Sequence, residues 1–107
     1  MAEDDFATVA RTNALAPGEM MYVEVGDEPV CLINLDGAFY AISDICTHEE
    51  ASLSDGEITG DEIECPLHGG AFEIRTGQPV SFPVVVPVET FRVRVVGDEV
   101  QVARTGS

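Results

Sequence analysis

The sequence contains no lysine and few basic residues of any kind: five arginines stand against 20 Asp and Glu, for a net charge of −15. That balance argues against a nucleic-acid partner, because phosphate binding needs a positive face. It favours solubility and steers encounters toward a basic patch on another protein. Long hydrophobic runs are absent too, and no apolar stretch approaches the length that crosses a bilayer, so no membrane partner is expected. The first residues, Met1-Ala2-Glu3-Asp4-Asp5, have neither the basic region nor the apolar stretch of a secretory signal. With Met1 as the start, the chain is expected to stay in the cytoplasm. Helical periodicity is nowhere sustained over ten residues, and Ala51 to Asp55 allows one helical turn at most.

What the sequence does contain is β-structure punctuated by turns. Met20 to Val25, Pro29 to Leu35, Phe39 to Ile42 and Ala71 to Arg75 read as strands, as do Phe91 to Val95 and Glu99 to Val102. Asp36-Gly37 supplies the two positive-φ positions of a tight hairpin. Gly60-Asp61 separates the short strands Glu57-Ile58-Thr59 and Glu62-Ile63-Glu64. Many short strands at this spacing predict an all-β fold, an antiparallel sandwich or small barrel. The 107 residues suffice for one domain. A base built from about 1–44 and 78–107 is expected to carry an inserted subdomain over about 45–77, where the glycines and the candidate ligands gather.

Cysteine is scarce as well. Three cysteines cannot all pair, and cytoplasmic disulfides are rare, so a metal or catalytic role is the better expectation for at least two. Both histidines of the chain lie within three residues of a cysteine. Cys46-Thr47-His48 and Cys65-Pro66-Leu67-His68 together give C-x-H-x16-C-x2-H. A tetrahedral Cys2His2 zinc site is the rival for these four residues, although zinc modules usually space their ligands as C-x2–4-C and H-x3–5-H. Cys31, far from the pairs in an apolar strand, is expected to be a buried free thiol. Glu49 and Glu50 follow His48 directly. They are either solvated or placed to disfavour an added electron.

The two pairs resemble those of the Rieske family, in which C-x-H and C-x2-H on two loops bind one [2Fe–2S] cluster. The resemblance covers about residues 20–103 and includes S-L-S-D-G, H-G-G-A-F and R-T-G-Q-P, which look like the small ferredoxins of bacterial aromatic-ring dioxygenase systems. It implies the Rieske fold, with Cys46 and Cys65 on one iron and His48 and His68 on the other. Neutral imidazoles on one iron raise the potential to about −150 to +300 mV. Gly69 and Gly70 would let backbone approach the cluster closely. High-potential members carry two further cysteines that link the loops; Ala51 and Leu67 occupy those places here, which puts the expectation near −150 mV. The implied role is an electron carrier between a flavoprotein ferredoxin reductase and a terminal oxygenase. Leu67 and the Pro79 to Pro83 stretch would rim the docking face, and a monomer is expected. The small Rieske-like subunit of a nitrite reductase is the alternative. An oxygenase in its own right is not expected, because its mononuclear iron site needs two further histidines.

Overall fold

Two-residue turns set the architecture. The computed structural model describes residues 6–47, 50–67, 69–82 and 84–106. Its strands are β1 (Phe6–Arg11), β2 (Met20–Val25), β3 (Glu28–Leu35), β4 (Ala38–Ser43), β5 (Glu57–Thr59), β6 (Glu62–Glu64), β7 (Ala71–Glu73), β8 (Pro79–Ser81), β9 (Thr90–Val96) and β10 (Glu99–Gly106). The hairpins β2–β3, β5–β6 and β9–β10 each close on a Gly-Asp pair. Between β3 and β4 the order is reversed, and Asp36 (φ 56°) and Gly37 (φ 96°) both take the left-handed conformation that a type I′ turn requires.

Six strands form one antiparallel sheet in the order β1-β10-β9-β4-β3-β2, and its edge strands β1 and β2 come back into contact, so the sheet nearly closes into a barrel. The remaining four form a smaller antiparallel sheet, β5-β6-β7-β8. Only short 3-10 turns, Thr12–Ala14 and Leu53–Asp55, interrupt the β-structure among the described residues. No helix among them is long and apolar enough to cross a membrane.

The all-β antiparallel fold agrees with the expectation from the sequence. Some local details differ. Strand β7 stops at Glu73, not Arg75, because the Glu73 carbonyl accepts the Gly77 N–H at 2.7 Å and the Ile74 N–H turns to Asp61 O at 2.9 Å. Strand β8 pairs with β7 and carries the small sheet past residue 77.

Strand β3 is where the two layers meet. Cys31, Ile33 and Leu35 alternate with Val30, Leu32 and Asn34, and all six are buried. The odd positions pack with Ile42, Ile63 and Phe72 toward the small sheet, while Val30 and Leu32 pack with Val23, Val100 and Val102 inside the barrel. Asn34 is tolerated in this setting because its amide donates to Leu15 O and its Oδ1 accepts the Gly37 N–H, both at 2.8 Å.

Candidate metal centre

Two loops leave the sheets side by side. The first follows β4, and its ends are drawn together by the Cys46 N–H bonded to Ala51 O at 3.0 Å and by an isolated bridge between Ile45 and Ser52. Deeper in this loop the Asp44 carboxylate accepts the Ser52 hydroxyl and the Ser54 N–H. The second loop follows β6 and closes more tightly, with the Cys65 N–H donating to Gly70 O at 2.6 Å.

Cys46 and Cys65 therefore emerge at matching places, each immediately inside the neck of its loop. They are 3% and 2% exposed, and both belong to the buried cluster that includes Ile63, Phe72 and Val84. His48 and His68, the other two residues singled out by the sequence, lie outside the described residues, as does Glu49. Cys31 sits in the same cluster as the two cysteines but on β3, with its Sγ 3.7 Å from Met20 Sδ. Burial, and secondarily the charge of Asp44, pushes the Cys31 thiol well above its ordinary range, so it stays protonated. Two buried soft sulfur donors on adjoining loops, shielded by an apolar core, suit an iron–sulfur cluster.

A third segment, after β8, covers the pair of loops. The Thr47 hydroxyl donates to Val86 O at 2.7 Å and fixes this segment to the first loop. Val84 packs so closely over Gly70 that no side chain fits between them. The outer surface here is apolar: Phe82 is 84% exposed, Val85 66%, Val86 54% and Leu67 44%. Beside it an open cleft of about 340 Å³ runs along Cys65 and Pro66 and is lined by Asp55, Glu57 and Glu64. An apolar rim with an acidic flank is thus built next to both thiols.

Sequence reasoning gave no role to Asp44 and reached Ser52 and Ser54 only as part of S-L-S-D-G. The available signal was an acidic residue at a strand exit followed by two serines, the makings of side-chain-to-backbone hydrogen bonds. Phe82 was reached only as part of the proline stretch.

The chain matches the Rieske [2Fe-2S] domain over residues 5–92. It is 41% identical over 98 residues to the ferredoxin component of biphenyl 2,3-dioxygenase from Rhodococcus jostii (strain RHA1), with 92% of each chain covered. It is 46% identical over 96 residues to ferredoxin CarAc from Metapseudomonas resinovorans, covering 89% of this chain and 90% of that one. Among solved structures, a chain in the complex of reduced oxygenase and oxidized ferredoxin in carbazole 1,9a-dioxygenase is similar with a TM-score of 0.92, 42% identity and 98% of both chains covered. With a family match over most of its length, the chain belongs to the Rieske [2Fe–2S] family and has one Rieske-type cluster as its cofactor.

Proposed function

We propose that Cys46, His48, Cys65 and His68 hold the cluster and that the protein carries single electrons from a flavin-dependent NAD(P)H ferredoxin reductase to a terminal Rieske non-haem iron oxygenase. The observation that carries this reading is the position of two buried thiols directly beside an exposed apolar rim. When bound, the cluster supplies a one-electron couple, placed near −150 mV by its mixed ligands and acidic surroundings. Ile63, Phe72 and Val84 keep water from the thiols. Leu67, Phe82, Val85 and Val86 form the docking face, and the carboxylates beside them orient the approach to a basic partner. The ferredoxin component of a biphenyl dioxygenase and the ferredoxin complexed with a carbazole dioxygenase support this choice of partner. The protein is an electron-transfer component with no catalytic site of its own, and it acts as a cytoplasmic monomer.

The test is chemical and spectroscopic. The purified protein should contain iron and acid-labile sulfide in equal amounts. Once reduced, it should give a paramagnetic resonance spectrum whose average g lies below that of a four-thiolate ferredoxin, and His68→Cys should move it toward the four-thiolate value. A colourless protein containing zinc would overturn the assignment.

A further inference from the structure

Asp44 is the one charged side chain that is buried among the described residues, at 3% exposure, and the electron-carrying scheme above does not use it. It follows the end of β4 and stands two residues before Cys46. Its Oδ1 accepts the Ser54 N–H at 2.8 Å, and its Oδ2 accepts the Ser52 hydroxyl. The Ser54 and Ser52 hydroxyl oxygens are 3.0 Å apart, so the two serines form a relay ending on the carboxylate. The Asp44 backbone closes the same turn, its carbonyl accepting the Leu53 N–H at 2.7 Å and its N–H donating to Pro29 O at 3.0 Å.

Both carboxylate oxygens accept hydrogen bonds, and the donors are a hydroxyl and an amide, neither of them charged. A buried charge is costly unless hydrogen-bonded, and a neutral side chain could hold the same turn at less cost. What the charge adds is a field. Two residues span at most about 7 Å between Cα atoms, and charges inside a protein are weakly screened at that range. The field is felt in the core: Asp44 contributes, after burial, to the upward shift of the Cys31 thiol, and Cys31 shares its core with Cys46 and Cys65.

We infer that Asp44 is a positioning and potential-setting residue: its carboxylate clasps the first ligand loop, and its fixed negative charge lowers the reduction potential of the centre. The inference rests on the assignment of Cys46 as a ligand. An electron added beside a fixed negative charge is less stable, so removing that charge favours the reduced state.

The experiment is a redox titration of the cluster-loaded protein at neutral pH, with Asp44→Asn and Ser52→Ala compared with the unsubstituted chain. Asn keeps the shape and an accepting oxygen but loses the charge. It should raise the reduced-to-oxidised ratio at a fixed ambient potential by about tenfold, or ~59 mV for one electron, with unchanged g values. Ser52→Ala keeps the charge and removes a donor that offsets it, so its potential should fall. A merely structural clasp would speed cluster loss in both variants without moving their potentials in opposite directions. An unmoved potential in Asp44→Asn, or shifts of the same sign in both variants, would overturn the inference. If Asp44→Asn does not retain the cluster, Ser52→Ala decides alone: a fall supports the inference, and no change or a rise overturns it. An unsubstituted protein without a Rieske spectrum would overturn the ligand assignment first, whereas a Rieske spectrum with unmoved potentials overturns only the role of Asp44.

Discussion

A methyl group added at Gly70 would lie 2.6 Å from Val84 Cγ1 and 3.3 Å from the Val84 nitrogen, inside ordinary contact distance. Gly70→Ala must therefore push the covering segment off the Cys65 loop, at a cost of about 1–3 kcal/mol. Val84→Ala in the same chain should recover part of that loss. Thermal unfolding of the two single variants, the double variant and the original chain measures the coupling directly. The residues of the site differ in how legible they were. Cys46 and Cys65 stood out because each is paired with a histidine at short spacing. Gly70 was read as a close-approach position for the cluster, and the structure adds that Val84 already fills the space above it. Asp44 was silent, because one acidic residue among the chain's 20 looks solvated until its burial is known.

Among the elements, β3 supports both layers. Ile33 is fully buried on its site-facing side and Leu32 fully buried on its barrel-facing side. Replacing either with alanine should cost about 2–5 kcal/mol. Because one strand carries both cores, Ile33→Ala should lower the midpoint temperatures for loss of cluster absorbance and for loss of β-sheet circular dichroism together, as one transition. Two separate midpoints would show that the layers unfold independently. The hairpin that leads from this strand into β4 was legible from Asp36-Gly37 flanked by apolar residues. Strand β1 was not, since a bulge between Thr8 and Ala10 breaks the period-two pattern. Strand β8 was hidden behind Pro79, which is tolerated because it is the first residue of an edge strand.

For the molecule as a whole, net charge of −15 is unevenly used. Glu57 faces Glu64 beside the Cys65 loop and Glu62 faces Glu73 at the other end of the same short strands, so like charges stand directly opposite one another across the small sheet. Such pairs weaken a sheet slightly, but they concentrate negative potential on it, with the Glu57–Glu64 pair beside the Cys65 loop. Electron transfer to an oxygenase should slow as ionic strength rises, most steeply below about 0.15 M, where the screening length still exceeds about 8 Å. Stopped-flow rates that ignore salt would remove steering from the account. Composition made the sign of this field legible, but not its concentration on one sheet, because that depends on strand register.

The pairing of the first and last strands has a practical consequence. Phe6 lies opposite Ala103, so the first and last strands are neighbours in the six-stranded sheet, whereas the Cys46 and Cys65 loops leave from the ends of β4 and β6. A linker can join the start of β1 to the end of β10, and new ends can be opened at the exposed Gly97-Asp98 turn without breaking any strand. Such a circularly permuted chain would keep every loop of the site intact, and a redox partner could be fused at the new opening.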